Sequence, residues 1–154
     1  MGLINNISIS TLTCLHPSQG LTICPVETIT SEKEQGFDPP LFSHETTLVT
    51  LAPGTIEDLF VHHHQTDQLL VIRGNAVLII LLNKQYQYIL MSEAEPRVIK
   101  IPPGVPHGAV NLSPNPCTAI NSILFHGTPT EKDYRPIKPP FSYDLERVRK
   151  LLPD

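Results

Sequence analysis

The chain has 154 residues, about one domain, and its 40% hydrophobic and 17% charged residues exclude a disordered or fibrous protein. Eleven basic against fifteen acidic residues give a net charge of −4, without the basic stripe of a nucleic-acid binder. No apolar run reaches the roughly 18–20 residues that span a bilayer, and Met1–Ser10 lacks the basic start and apolar stretch of a signal peptide, so neither membrane nor export is expected and the expected location is the cytoplasm.

Residues 1–45 read as an N-terminal arm with the first strands, carried by short alternating patches at Ile7–Ser10 and Leu21–Ile23. Ser31–Pro40 is charged, ends in Pro39-Pro40 and reads as a surface loop. Residues 46–128 form the core. Its predicted strands are Thr46–Leu51, Ile56–His64, Gln68–Ile72, Ala76–Leu82, Tyr86–Met91, Arg97–Ile101 and Ala119–Phe125. Ala52-Pro53-Gly54 and Asn83-Lys84-Gln85 are turns, and Arg73-Gly74-Asn75 reads as a hairpin turn. Residues 129–154 are a C-terminal extension. Leu145, Val148, Leu151 and Leu152 share one helical face there, with Asp144 and Glu146 at its start and Arg147, Arg149 and Lys150 further along, as the helix dipole favours.

Sixteen prolines, roughly twice ordinary usage, break helices and central strands. With the short strands they indicate an all-β sandwich or barrel with a short C-terminal helix. The run Val77–Leu82 is apolar on both faces, whereas a one-sided sheet alternates. Its outer face needs cover from the helix, the N-terminal arm or a second copy. The expectation is a homodimer joined through a barrel sheet face or exchanged N-terminal strands. Cys14, Cys24 and Cys117 form no CxxC pair and read as free thiols, with a Cys14–Cys24 bridge as the alternative.

Histidine carries the chemistry. Alternate side chains of a strand share a face, so His62 and His64 point the same way, about 6.6 Å apart, with Thr66 and Gln68 after them and Asp67 opposite. A tight bend at 65–67 would change that parity. Pro102-Pro103-Gly104-Val105-Pro106 is a rigid turn that delivers His107 at the start of a strand. Three imidazoles so placed suit a preorganised metal site. Asp58 shares the parity of His62 and could accept from an imidazole N–H, although a solvated acid is the simpler reading. His126 reads as a rim residue, His16 and His44 as surface, and Tyr86 and Tyr88 as packing groups.

Residues 54–74 and 97–111 resemble the two motifs of the cupin superfamily, a small β-barrel or jelly roll. Gly54, His62, His64, Gln68 and Gly74 fill the first, and Pro102, Gly104, His107 and Asn111 the second. The resemblance implies a divalent metal (zinc, iron, nickel, copper or manganese) held by His62, His64, His107 and Gln68. The family's glutamate is replaced by Gln68, which adds no charge to the site. That metal would act on, or bind, a small molecule by dioxygenase, isomerase or lyase chemistry. The stretches 68–74 and 101–113, and more faintly Asp133–Pro136, are also similar to the cupin branch that epimerises or isomerises nucleotide-linked deoxy-sugars. That likeness implies metal-free proton transfer with His63 or His64 as base and a tyrosine as acid, but the strand expected to carry the tyrosine, Ile120–His126, has none. A third expectation is a non-catalytic ligand-binding or sensing module.

Overall fold

The computed structural model describes residues 7–12, 14–23 and 44–154. The expected loop Ser31–Pro40 and Cys24 lie outside the described residues. The described residues form eleven strands: β1 (Ser8–Thr11), β2 (Leu15–Ser18), β3 (Leu21–Ile23), β4 (Glu45–Leu51), β5 (Thr55–Ile56), β6 (Gln65–Arg73), β7 (Asn75–Leu82), β8 (Gln85–Ser92), β9 (Arg97–Ile101), β10 (His107–Asn111) and β11 (Cys117–Phe125). A 3-10 turn, Glu131–Tyr134, and helix α1, Leu145–Leu151, follow. One antiparallel sheet has the order β1-β9-β6-β11-β4 and faces a second of order β5-β10-β7-β8, while β2 and β3 pair separately. This is the expected all-β jelly roll with a short C-terminal helix.

The core lies between the sheets. Ala76, Leu78 and Ile80 of β7 meet Val71 of β6 and Ile99 and Ile101 of β9 there. Alternate residues of the same run, Val77 and Ile79, face outward and are fully buried against Leu59, Val110 and Val148. The two-sided apolar strand is therefore covered by its own chain. The C-terminal segment is fastened by Tyr86 Oη donating to the Phe141 carbonyl at 2.6 Å and by the Asp144 N–H donating to Tyr88 Oη at 2.8 Å. Asp144 also caps α1, accepting from the Arg147 N–H at 3.0 Å. On the far face of the first sheet, Leu12 packs on Leu70 and Val98 with Cys14 beside them. Cys14 is disulfide-bonded, which corrects the reading of it as a free thiol. Cys117 is free and buried, and burial pushes its thiol up to about 11.

Two expectations change at the turns. Arg73-Gly74-Asn75 is not a hairpin, because β6 and β7 belong to different sheets. Gly74 turns the chain from one sheet to the other at φ +80°, so close to its neighbour that a Cβ would stand 2.4 Å from the Pro116 carbonyl oxygen. The strand predicted over Ile56–His64 stops at Ile56. Beyond it the chain is held by paired backbone bonds, Phe60 with His107 at 2.8 and 3.0 Å and Leu59 with Ile137 at 3.1 and 2.7 Å. It then bends at His63 and His64 before β6 begins at Gln65. Among the described residues no helix is long and apolar enough to cross a membrane.

Candidate functional site

A cavity of about 290 Å³ opens at one end of the barrel. Leu51, Leu69, Leu78, Met91, Ala109 and Ala119 form its apolar lining. Its polar wall is made by His62, Gln65, Asp67, His107 and Asn121, with Glu57 beside them and Tyr134, 51% exposed, at the mouth.

His107 is placed by the rigid turn and opens β10. Its Nδ1 donates to the Val105 carbonyl at 2.9 Å, since that oxygen can only accept. Its Nε2 lies 3.1 Å from Asp67 Oδ2. Both ring nitrogens are engaged, so the ring is locked. Gly108 lets the 57–58 backbone close on β10, because a Cβ there would stand 2.5 Å from the Asp58 carbonyl oxygen. His62 comes from the irregular segment, whose position is fixed by the Gly104 N–H donating to its carbonyl at 2.7 Å. Its Nε2 lies 3.4 Å from the same Asp67 oxygen, a looser contact. The other carboxylate oxygen, Oδ1, accepts from Gln65 Nε2 at 2.6 Å.

Burial opposes charge on Asp67, but the hydrogen bonds and positive field of His107 and His62 outweigh it and hold its carboxyl far below the usual carboxylate range. Burial also opposes the His62 imidazolium, yet the hydrogen bond and charge of Asp67, helped by Asp133, raise its pKa above the ordinary histidine value. Tyr134 Oη donates to Gln65 Oε1 at 3.3 Å, and its ring centroid is 5.9 Å from that of His62. Its phenol is pushed up by burial and by the negative charges of Glu45, Asp133 and Asp67. The turn bearing Tyr134 is anchored by Asp133, which is buried and accepts the His63 N–H at 2.7 Å.

The residues singled out in the sequence are only partly brought together. His62 and His107 converge. His64 does not, because the bend at His63–His64 breaks the strand parity that paired it with His62; His63 and His64 are both exposed. The His64 carbonyl accepts from the His126 N–H at 2.7 Å, and its ring lies against Gly127. Gln68 is buried and donates from Nε2 to the Ser122 carbonyl at 2.9 Å, while its neighbours Asp67 and Leu69 line the cavity. Asn111 is a corner residue: its Nδ2 donates to the Leu51 and Asn115 carbonyls at 3.0 and 2.9 Å, and its Oδ1 accepts from Ser113. Asp58 is exposed. His126 is exposed too, with its Nε2 2.7 Å from Thr66 Oγ1. Parity pointed Asp67 away from the histidines; the same bend resets the register and turns it inward. The strand expected to carry a tyrosine, β11, has none; Tyr134 lines the cavity from the 3-10 turn, within the stretch 133–136 that carried the fainter resemblance. Glu57, also missed, had no sequence signal beyond lying near the histidines.

No family model matches the chain, and no curated protein matches it. Solved structures do. A sugar 3,4-ketoisomerase from Thermoanaerobacterium thermosaccharolyticum in complex with TDP is 14% identical with a TM-score of 0.63, covering 96% of this chain and 98% of that one. The chain has a cupin-type jelly-roll fold. A dTDP-6-deoxy-D-glucose 3,5-epimerase from Legionella pneumophila Philadelphia 1, in complex with dTDP-4-keto-L-rhamnose, is 14% identical with a TM-score of 0.64, covering 82% and 70%. A dTDP-4-dehydrorhamnose 3,5-epimerase from Sulfolobus tokodaii is 17% identical with a TM-score of 0.62, covering 80% and 72%. These proteins share the fold of the chain.

Proposed function

We propose that the cavity carries out proton transfer on a small keto-sugar, as an epimerase or isomerase. The observation that carries this reading is the meeting of His62 and His107 on one buried carboxylate with Tyr134 beside His62. His107 and Gln65 fix Asp67, and Asp67 orients His62. His62, more loosely held than His107, takes a proton from the carbon next to a carbonyl. Tyr134 returns a proton to carbon from the mouth. The apolar lining suits the deoxygenated side of such a sugar. A neighbouring cleft of about 430 Å³, lined in part by Lys132 and by Arg135, whose guanidinium also pairs with Glu131 at 2.9 Å, offers a diphosphate cationic partners outside the cavity. The structural neighbours bound to TDP and to a keto-sugar nucleotide support this reading over a metal-dependent one.

The test is incubation with TDP-4-keto-6-deoxyglucose in heavy water, followed by NMR of the carbons beside the ketone. Deuterium uptake by the wild type, reduced about 100-fold in His62→Asn, is expected. Absence of uptake overturns the reading, and tight binding without uptake points to the ligand-binding module instead.

One observation favours a second reading. The resemblance placed the metal among His62, His64, His107 and Gln68, and these four do not meet. The donor atoms of His62, Asp67 and His107 do lie within 4.8 Å of one another. Two imidazoles and a carboxylate suit iron, zinc, nickel, copper or manganese, and such an ion would supply a Lewis acid. Elemental analysis of purified protein, wild type against His107→Ala, decides: a stoichiometric metal lost in the variant supports this reading, and none in the wild type overturns it. A homodimer would have to pack elsewhere than on the outer face of Val77 and Ile79, which the chain itself covers.

A further inference from the structure

We propose that Glu57 is a second acid of the cavity, presenting the hydroxyl of a neutral carboxyl group to the carbonyl oxygen of the substrate while His62 takes the proton from the adjacent carbon. This rests on the proton-transfer reading above.

Glu57 is fixed on three sides. Its N–H donates to the Ala109 carbonyl at 3.1 Å, its side-chain Oε2 accepts from the Ala109 N–H at 2.8 Å, and its own carbonyl accepts from Tyr143 Oη at 2.9 Å. One carboxyl oxygen is thus pinned to β10. The other, Oε1, has no hydrogen-bond partner among the described residues and is not sealed from solvent, on a side chain that lines the cavity. No cation forms an ion pair with Glu57 among the described residues. The groups around it are His107 on β10, Asp58 next in the chain and Tyr143 from the C-terminal segment. Only His107 could offer positive charge, and that ring is already committed to Asp67.

Protonated on Oε1, a carboxyl in this position would have its carbonyl oxygen accepting the Ala109 N–H and its hydroxyl free to donate. Burial raises its pKa, offset in part by the Ala109 N–H and the field of His107. Asp67, two partners richer, is held ionised. Glu57 and Asp67, two of the three carboxyl groups lining the cavity with the exposed Glu45, are thus shifted in opposite directions by their own surroundings, the arrangement that separates acid from base in proton-transfer enzymes.

The step balances. The carbon–hydrogen bond breaks and its proton goes to His62. The electron pair forms a carbon–carbon double bond, and the carbonyl π pair moves onto oxygen, which takes the proton of Glu57. On collapse Glu57 recovers that proton. Carbon is reprotonated by His62 on the same face, or by Tyr134 on the other, in which case the His62 proton then passes through solvent to the Tyr134 phenolate; either way the protein ends unchanged. If Glu57 merely fastened β10, glutamine would serve as well, since its amide oxygen accepts the same N–H.

Glu57→Gln is therefore the discriminating variant. In wild type without ligand, infrared spectra at pH 7 should show a carboxylic C=O stretch that disappears in Glu57→Gln. With TDP-4-keto-6-deoxyglucose in heavy water, the variant should lose about 100-fold in kcat for deuterium uptake, with KM within about threefold and an unchanged melting temperature. A wild type without the carboxylic band at pH 7 overturns the proposal, as does a Glu57→Gln variant that exchanges at the wild-type rate. Wild type that shows the band but exchanges no deuterium overturns the proton-transfer reading beneath it, and the catalytic role of Glu57 with it.

Discussion

Nε2 of His107 lies 3.1 Å from Oδ2 of Asp67, and neither group reaches bulk water freely. Asp67→Asn removes the charge that both imidazoles share. Loss of one partner of a buried pair costs about 3 kcal/mol. The metal-free variant should unfold at correspondingly lower denaturant near pH 6, and urea titration measures this.

The pH dependence of that difference has a defined window. The folded pKa of Asp67 is depressed, so its contribution is complete above the unfolded value of about 3.9 and is lost as pH falls below it. The folded pKa of His62 is raised, so its contribution is complete below about 6.5 and is lost as pH rises through the folded value. The gap between wild type and Asp67→Asn should be widest between about pH 4 and 6.5. A gap that keeps growing into alkaline solution contradicts this pairing.

Tyr134 is half exposed and makes one long hydrogen bond, to Gln65. Tyr134→Phe should leave the melting temperature unchanged and reduce deuterium exchange about 100-fold. A variant with full activity removes the phenol from the mechanism.

Gln68 separates the motif reading from the structure. Were it a metal ligand, glutamate there would tighten the metal. It instead donates to the Ser122 carbonyl, so Gln68→Glu sets a buried carboxylate against that oxygen. The expected result is a loss of about 1–3 kcal/mol, recovered as the solution is acidified, with metal uptake unchanged by calorimetry.

The outer face of β7 depends on Val148, which is fully buried. Val148→Ala should cost about 2 kcal/mol. Light scattering should still give the same mass as the wild type, because Val77 and Ile79 are covered by their own chain.

The parts of the fold written in local pattern were legible from sequence. β7 announced itself as an apolar run, and Asn83 and Lys84 formed the expected turn, both at positive φ. Helix α1 followed its apolar face. His107 was legible because prolines set its backbone. The rest of the site was hidden where periodicity fails. One irregular bend, stitched by bonds from β10 and from Ile137, decides that Asp67 faces inward and His64 outward, and those bonds span more than forty residues of sequence. Tyr134 reaches the cavity from a turn whose placement rests on Asp133 and His63, seventy positions apart. A period of two carries no trace of such contacts.

The phenol at the mouth and the carboxylate in the wall stand on different kinds of ground. Asp67 is built into β6, where any replacement must be absorbed by the packed interior. Tyr134 rides on a short, mostly exposed turn outside both sheets, held chiefly by the Asp133 carboxylate, which accepts the His63 and Thr130 N–H groups. Selection, natural or in the laboratory, can therefore exchange the residue at 134 at little cost to folding, while the wall stays fixed. Random libraries at 134 should yield mostly folded proteins with altered turnover, and libraries at 67 mostly insoluble ones. New chemistry on this scaffold is accessible from its rim.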